Sequence, residues 1–568
     1  MTRGGSLFGQ TGPVNPRSGK VMSTTFNKAD KTNREGAPAF SRPLEEDVLA
    51  VLMTQTLGNT FYASKKEIAK ETVDVLRAVS ATDPAFLAKA LVYARNRGLM
   101  KMAPTIGLAV LSENKSAAAQ DAFRKSFRHV MRIPDDLREF VDLIRTGSFG
   151  KKSLTGLRKT MIQHALRHMS EFHGVKYGSS ASEGVTVRDI LRLAHPRPKT
   201  TKSGKEYERL KNGAQAEMFG WLVKGWENVG KEPSPTNPMI WALETIKRSE
   251  DEKEIVSLVR KYKLPWEVVV PSVKKMTVGI WTALMEGMPY MALLRNLNTF
   301  ERHGVLADKA VVKDIAARLS DKEAVEKSKQ LPFRFWNAFK AYTGPQAIRD
   351  GLSDALEASF ANMPEMSGTI CIANDTSGSM GSLVSDKGTA TFAEVAGIFA
   401  AALFKKAEDV MLLPFDTEVH AAKGRVSKRD TIMSIVEKIS GHGGGTDIGA
   451  PIRHLLREKK KVDVFIGITD SEDWSGRGFL TEWEEYKAKI NPKAKAFLVT
   501  IAPYRDGLSP KEMPDVYYTY GWSDNVLRFI SMVMAGGAGQ VDHVKGIDLE
   551  SYGKKVETKT EETVESEQ

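Results

Sequence analysis

Three side chains with hard oxygen atoms stand at alternate positions in the stretch NDTSGSM. Asp375, Ser377 and Ser379 follow directly after the apolar run TICIA. A carboxylate and two hydroxyls are donors that hard divalent cations such as Mg²⁺ prefer. The spacing indicates a metal-binding loop, although serine and aspartate after a strand also cap helices without any ligand.

Two later loops supply oxygen atoms of the same kind. Thr446 and Asp447 follow the glycine run in SGHGGGTD, and Asp470 follows the apolar run VDVFIGIT. Mg²⁺ takes six oxygen ligands, so five protein donors leave a position for water or for an acidic group of a partner. An ion with such a free position can bind a ligand, and the sequence is also compatible with Lewis-acid catalysis. The candidate ligands are Asp375, Ser377, Ser379, Thr446 and Asp470.

A second candidate region is the stretch 151–200, with ten Lys and Arg residues against three Asp and Glu. Phosphates are the natural counter-charge, because acidic partners within the stretch are scarce. Arg192 and His195 are three residues apart near a helix end at Pro196, so they face one side, where histidine stacks on a base or donates to phosphate. Any one of these cations, taken alone, is more often a solvated or structural residue. The candidate contacts are Arg158, Arg167, Arg192, His195 and Arg197.

The oxygen-rich loops lie in a part of the chain with an α/β pattern. From about residue 364, short apolar runs alternate with helical segments, which predicts a mostly parallel sheet with helices on both faces. The predicted strands are TICIAN, VMLLPF, VDVFIGI, AKAFLVTI and VYYTY. Ligands of such doubly wound sheets bind beyond the carboxyl ends of the strands, so we expect the three loops to meet at one edge.

The preceding part of the chain is predicted to be helical almost throughout. Apolar residues recur every three or four positions in stretches such as KEIAKETVDVLRAV and GIWTALMEGMPYMALLRNLNTF. About fifteen successive helices favour a HEAT-like solenoid of stacked helical pairs with a long concave surface. The predicted domains are 1–40, a flexible tail, 41–362, the helical domain, 363–545, the α/β domain, and 546–568, a disordered charged tail.

Charge divides the chain at nearly the same point. Residues 1–350 hold 57 Lys and Arg against 37 Asp and Glu, a balance of +20. Residues 351–568 hold 25 against 33, a balance of −8, and the two balances add up to the net charge of +12. The helical part is therefore the candidate for binding a polyanion.

Cysteine content and hydropathy narrow the class of protein. Cys371 is the single cysteine and lies in an apolar run, so disulfides and cysteine-based zinc sites are excluded. No run of eighteen apolar residues occurs, and the N-terminal segment lacks the apolar core of a secretory signal. We therefore expect a protein of the reducing cytoplasm.

The order of the motifs resembles a known combination of domains. DTSGS, GGGTD and ITD together resemble the metal-ion-dependent adhesion site of von Willebrand factor A domains, whose five ligands match the five candidates above. The remaining stretches resemble, in order, the TROVE module of the Ro 60-kDa autoantigen family. They are LGNTFYAS, VYARNRG, FGKKSLTGLRK, VRDILRLAHPRP, MPYMALLRNL and FWNAFKAYTGP. A TROVE module followed by an A domain is the arrangement of Ro proteins.

The resemblance implies a ring of helical repeats whose ends are joined by a Mg²⁺-binding A domain. In that family, the basic hole takes single-stranded 3′ ends of misfolded or unprocessed RNA, without catalysis. The outer surface binds Y RNA, which in bacteria tethers an exoribonuclease such as polynucleotide phosphorylase. His195 occupies the place of the family's Y-RNA-binding histidine, and Lys176 with Tyr177 matches an upstream Lys-Tyr pair. GSSASEG then replaces a more basic family segment, so the outer contact surface differs here. A monomer is expected.

Two other interpretations remain open on the sequence alone. In the first, the A domain is an adhesion or protein-interaction module whose metal captures an acidic residue of a partner. In the second, which is weaker, the metal site belongs to a nuclease. Such a site would lie in the acidic half, away from the basic surface.

Overall fold

The computed structural model describes the greater part of both predicted domains. Residues 1–30 and 552–568, which make up most of the predicted tails, lie outside the described residues. The described residues are 31–32, 38–39, 41–54, 65–150, 152–154, 156–178, 184–196, 213–225, 232–328, 332–360, 366–384, 389–420, 425–441, 443–472, 477–502, 508, 513, 515–521, 526, 530, 533 and 539–551.

The first domain consists of helices in close succession. Its helices are α1 Leu44–Thr54, α2 Lys65–Thr82, α3 Pro84–Asn96, α4 Met102–Glu113, α5 Ala117–Val130, α6 Pro134–Arg145, α7 Gly156–Arg167, α8 Glu171–Gly178, α9 Val187–Ala194, α10 Ala214–Lys224, α11 Pro238–Ile246, α12 Glu252–Tyr262, α13 Trp266–Val269, α14 Val278–Gly287, α15 Tyr290–Arg302, α16 Lys309–Ser320, α17 Lys322–Ser328, α18 Pro332–Ala341 and α19 Gln346–Ala358. A 3₁₀ turn, Val305–Ala307, joins α15 to α16. Ahead of α1, Lys31–Thr32 (β1) and Pro38–Ala39 (β2) form an antiparallel pair within the predicted tail.

Local sequence explains why these segments are helical. In α5, the Ser116 hydroxyl accepts a hydrogen bond from the Ala119 N–H and caps the first turn. Phe123 and Phe127 are buried on one face, while Arg124 is exposed on the other. Burial of one apolar stripe holds such a helix against its neighbours.

One predicted helical stretch, residues 279–300, is two helices. α14 ends at Gly287, and α15 begins at Tyr290 with Pro289 as its N-cap. Proline has no N–H to donate and disfavours the helical conformation of the residue before it, so no helix continues through Met288.

Helices that are close in sequence pack together, as expected of an array of helical repeats. α3 packs on α5, α12 on α14, and α16 on α19. Each contact joins helices two or three positions apart in the chain, which confirms the predicted stacked arrangement.

The second domain contains one parallel sheet. Its strands are β3 Met366–Asn374, β4 Ala407–Leu412, β5 Val464–Thr469, β6 Lys495–Thr500 and β7 Val516–Tyr520. The spatial order is β4-β3-β5-β6-β7, and all neighbouring strands are parallel. The described helices of this domain are α20 Phe392–Lys406, α21 Ile432–Ile439, α22 Gly449–Arg457, α23 Phe479–Lys489 and α24 Gln540–Lys545.

The two faces of the sheet are both covered. Ile370 and Ile372 belong to the core that includes α20 and α21. The alternate residues Cys371 and Ala373 belong to a second core, with Trp483 of α23. Alternate residues of a strand point to opposite faces, so the predicted doubly wound sheet is confirmed.

Both ends of the helical array contact the A-like domain. At one end, α1 packs against β7 and α3 against α24. There Arg42 Nη1 donates to the Tyr520 hydroxyl at 2.9 Å, which in turn donates to Glu46 at 3.2 Å. At the other end, α18 packs on α20 and α19 on α21. The chain therefore closes into a ring, as the resemblance implied.

Among the described residues, no helix combines the length and the apolar character that a bilayer crossing requires.

Candidate functional site

The two candidate carboxylates, Asp375 and Asp470, lie at the topological switch point of the sheet. Asp375 follows β3 and Asp470 follows β5, and these strands are neighbours. The Asp375 N–H donates to the Ile468 carbonyl oxygen at 2.9 Å, which fixes the start of its loop beside β5. On its other side β3 pairs with β4, so the connections from β3 and β5 diverge here. In open α/β sheets, this divergence creates the crevice in which ligands bind.

The DTSGS loop gathers its oxygen atoms in a buried position. Asp375 Oδ1 accepts the Ser377 N–H at 2.9 Å, and Oδ2 accepts the Thr469 hydroxyl at 2.7 Å. The hydroxyl oxygens of Ser377 and Ser379 are 3.2 Å apart. Asp375 has no exposed surface, and both serines are buried. The three donors that the sequence predicted are therefore together in space.

The glycine-rich loop reaches the same place through backbone contacts. The Gly378 N–H donates to the Gly444 carbonyl at 2.8 Å, and the Asp447 N–H donates to the Asp416 carbonyl at 2.9 Å. Thr446 is buried in the segment between these two anchors, and its role as a ligand stays a prediction. The carboxylate of Asp447 forms an ion pair with Arg453, so Asp447 holds its loop in position.

The electrostatics of the cluster suit a bound cation. Burial, together with the nearby charge of Asp470, raises the pKa of Asp375 to about 7. Two carboxylates in a buried position repel each other unless a cation lies with them. Among the described residues, no group of three or more His, Cys, Asp or Glu side chains is placed to hold a metal, so an ion here depends on hydroxyl donors as well. The donor set fits a hard divalent cation, and its identity as Mg²⁺ stays a prediction.

Two residues of this region were not singled out from the sequence. Asp416, in the loop after β4, is buried and accepts the Glu418 N–H at 3.0 Å. The strand-end rule that identified Asp375 applies equally to Asp416 in LLPFD and could have found it. Trp336 of α18 lines the same cavity of about 460 Å³ as Ser377. No local signal indicates Trp336, because its position depends on how the two domains meet.

The segment that follows the DTSGS loop is joined to the helical domain at α18. Asn337 Oδ1 accepts the N–H groups of Thr389 at 3.0 Å and Ala390 at 2.8 Å. Lys340 Nζ lies 2.6 Å from a carboxylate oxygen of Glu394. The segment that follows the DTSGS loop is therefore held by α18.

The second candidate region places His195 and Arg192 together at the end of α9. His195 is exposed and has a left-handed backbone conformation, with φ of 45°. Gln163 Nε2 donates to the carbonyl oxygens of Ala194 at 2.8 Å and His195 at 3.1 Å. Arg192 is also exposed, so this helix end presents a cation and an imidazole to solvent.

The other basic candidates occupy different environments. Arg158 and Arg167 are only 7% and 6% exposed. Arg158 Nε donates to the Ser112 hydroxyl at 2.9 Å and Nη2 to the Phe149 carbonyl at 2.6 Å, and burial lowers the pKa of Arg158. Lys176 Nζ lies 3.0 Å from Glu267. Arg197 lies outside the described residues. Burial favours a structural role for the two arginines, and direct ligand contact by these four stays a prediction.

Comparison with known families identifies the domain family of each half of the chain. The TROVE domain matches residues 51–347, and the Ro60 vWA domain matches residues 369–531. The chain belongs to the Ro60 family. The matches lie within the predicted domains 41–362 and 363–545, whose exact bounds remain predictions.

Relatives of this Ro60-family chain extend over both domains. It is 24% identical over 538 residues to a Deinococcus radiodurans protein named RNA-binding protein RO60, covering 90% of this chain and 96% of that protein. It is 26% identical over 419 residues to the Caenorhabditis elegans RNA-binding protein RO60, covering 63% and 64%. The crystal structure of the D. radiodurans RO (RSR) protein matches with a TM-score of 0.62 at 22% identity, over 85% of this chain and 98% of that one, which shows a shared fold. The adhesion alternative has no support in these matches.

Proposed function

We propose that this chain is a non-catalytic RNA-binding protein that captures single-stranded 3′ ends of misfolded or unprocessed structured RNA in a basic ring. The observation that carries the proposal is the match of both domains, in the same order, to a relative named for RNA binding. The balance of +20 over residues 1–350 supplies the counter-charge that phosphates need.

The outer surface is proposed to bind a Y-like small RNA through the end of α9. His195 and Arg192 are both exposed there, which suits stacking on an unpaired base and pairing with a phosphate. A Y-like RNA bound at this surface is further proposed to bring an exoribonuclease such as polynucleotide phosphorylase to the ring. The ring is further proposed to form from a single copy of the chain, which is supported by contacts within one chain at both junctions.

The A domain is proposed to hold Mg²⁺. Asp375, Ser377, Ser379, Thr446 and Asp470 would hold the ion. When bound, the ion supplies positive charge between the two carboxylates and a coordination position for water or for an acidic group of a partner.

A mobility-shift titration tests RNA capture. We expect a hairpin RNA with a single-stranded 3′ tail to bind more tightly than the same hairpin with a blunt end, with affinity falling steeply as salt rises. Equal affinity for the two RNAs would contradict capture of 3′ ends.

A variant of His195 tests the outer surface. His195→Asn removes the imidazole but suits the left-handed backbone, which asparagine tolerates well. Lys263→Asn is the matched control, since Lys263 is exposed and caps α12 with φ of 48°. We expect weaker binding of a Y-like RNA by His195→Asn and unchanged binding by Lys263→Asn. Equal behaviour of both variants would remove His195 from the interface.

A further inference from the structure

A small cavity lies between the end of α5, the start of α6 and helix α7. Its volume is about 190 Å³, below the ~300–1,000 Å³ typical of sites for drug-sized ligands. Its floor is apolar and includes Phe127, Met131, Leu137 and Leu166. A space of this size and character suits one flat ring system rather than a longer ligand.

The rim of the cavity carries cationic and imidazole side chains. They are Arg128, Arg132, His164, His168 and His173. Around this cavity, the described lining residues include no carboxylate. The nearby carboxylate of Asp136 accepts hydrogen bonds from Arg95 Nη2 at 2.9 Å and from the Arg132 N–H at 3.0 Å. Arg128 and Arg132 therefore place positive charge beside the apolar floor.

Two of the imidazoles form a platform at the mouth. His164 and His168 are one turn apart on α7, and their rings stack with centroids 4.3 Å apart and planes inclined by 28°. Both side chains are exposed. An unstacked nucleotide matches these features. Its flat base suits the imidazole platform and the apolar floor, and its phosphate suits the two arginines.

The cavity is close to the surface proposed to bind RNA. Gln163, which holds the carbonyl oxygens of Ala194 and His195, directly precedes His164 on α7. The cavity and the exposed end of α9 therefore both border one helix, whose width with side chains is about 10 Å.

We propose that this cavity receives one unstacked base of a single-stranded RNA segment, with its phosphate at Arg128 and Arg132. The proposal rests on the RNA-binding function above and adds a base-binding subsite to it. The base enters the cavity above its apolar floor and stacks at the mouth on His168 and His164. Because a paired base cannot leave its helix to do this, the subsite favours unpaired RNA.

Two variants test base entry by different means. Ala165→Trp fills the cavity, which Ala165 lines, and keeps every cation of the rim. The double variant His164→Ala/His168→Ala removes the platform and leaves the space open. We expect each to weaken binding of a fluorescein-labelled single-stranded RNA by about tenfold in an anisotropy titration. Ala292→Trp, at a half-buried alanine of α15, is the matched control and should bind as the wild type does.

Abasic substitutions along the RNA show which contact is lost. With the wild type, one abasic position should weaken binding about tenfold, and with Ala165→Trp the same substitution should have no further effect. Wild-type affinity in Ala165→Trp, with its fold confirmed by thermal melting, overturns base entry even if the double variant binds weakly. If Ala165→Trp does not fold, wild-type affinity in the double variant overturns the subsite. A wild-type chain that binds no RNA fails the proposed function itself, and the subsite with it.

Discussion

The proposed metal site and the basic surface arrange their candidate residues in opposite ways. At the proposed metal site, the candidate ligands come from loops at one edge of a sheet, and all are buried. On the helical half, the candidates lie on separate helices, where Arg192 is exposed and Arg158 is buried. A sheet brings strand ends together by its topology, whereas the outward face of a helix depends on its packing against neighbours.

The difference has an energetic side. The buried Asp375 carboxylate is poorly stabilised by the protein alone, because burial and Asp470 raise its pKa to about 7. Exposed Arg192 keeps its hydration until a ligand replaces it, so it costs the fold little. A cation bound between Asp375 and Asp470 would therefore stabilise the fold, whereas Arg192 contributes to the basic surface without such a ligand.

The largest expected effect separates metal binding from RNA binding. Asp375→Asn should weaken Mn²⁺ or Mg²⁺ binding by more than about 100-fold in isothermal titration, because it removes a charged ligand. RNA affinity should not change. Asp463→Asn, at the opposite end of β5, is the matched control and should bind metal normally. A parallel loss of RNA affinity in Asp375→Asn would show that the two regions are coupled.

The next effect separates structural from exposed arginines. Arg158→Ala should lower the free energy of unfolding by about 2–3 kcal/mol, because the Ser112 hydroxyl and the Phe149 carbonyl lose a buried partner. Urea unfolding measures the change, and Lys159→Ala, at the half-buried neighbour, is the control. Lower RNA affinity of the folded Arg158→Ala protein at full stability would instead place Arg158 in the interface.

Arg192→Ala should show the reverse pattern. Affinity for single-stranded RNA should fall several-fold, and the slope of log affinity against log salt should decrease by about 0.7, the contribution of one phosphate contact. The urea midpoint should stay at the wild-type value, since Arg192 is exposed. An unchanged salt slope would exclude Arg192 from phosphate binding.

The smallest effect concerns Glu171, a partly buried carboxylate of α8. Glu171 accepts the Ile240 N–H at 3.0 Å, and burial raises its pKa from 4.5 to about 7. A carboxyl whose pKa is higher in the folded state stabilises the fold at low pH and loses that contribution as pH rises from 4.5 to 7. The unfolding free energy should therefore fall by about 1 kcal/mol over this range, after allowance for partial exposure.

Glu171→Gln should abolish this pH dependence, since the amide keeps the acceptor oxygen and does not ionise. Urea unfolding at pH 5 and pH 8 measures it, and added Mg²⁺ should leave the Glu171 contribution unchanged. Parallel pH profiles of variant and wild type would refute the assignment.

Sequence alone was sufficient for the sheet and for the cluster at its edge. Each predicted strand corresponds to an observed one, because short buried runs between helical segments define a parallel sheet. The loops after β3 and β5 then followed from strand order. Asp416 was missed only because the same rule was not applied to β4.

Residue-level prediction was weaker on the helical half for a physical reason. Periodicity shows that one face of α7 is buried but does not specify how neighbouring helices cover a long arginine. Arg158 therefore lies under Phe149 and Ser112 instead of facing solvent. Trp336 lines the same cavity as Ser377 because the two domains pack together there, and no local sequence pattern indicates that packing.

The junctions at Arg42–Tyr520 and at Asn337–Thr389 are held by packing, hydrogen bonds and ion pairs such as Lys340–Glu394. A ring whose two junctions stay closed can take up a polymer only by one of the polymer's ends. A circular oligonucleotide has no end, so it can pass through the ring only if a junction opens. Linear and circular oligonucleotides of the same sequence therefore distinguish entry through the closed ring from entry through an opened junction.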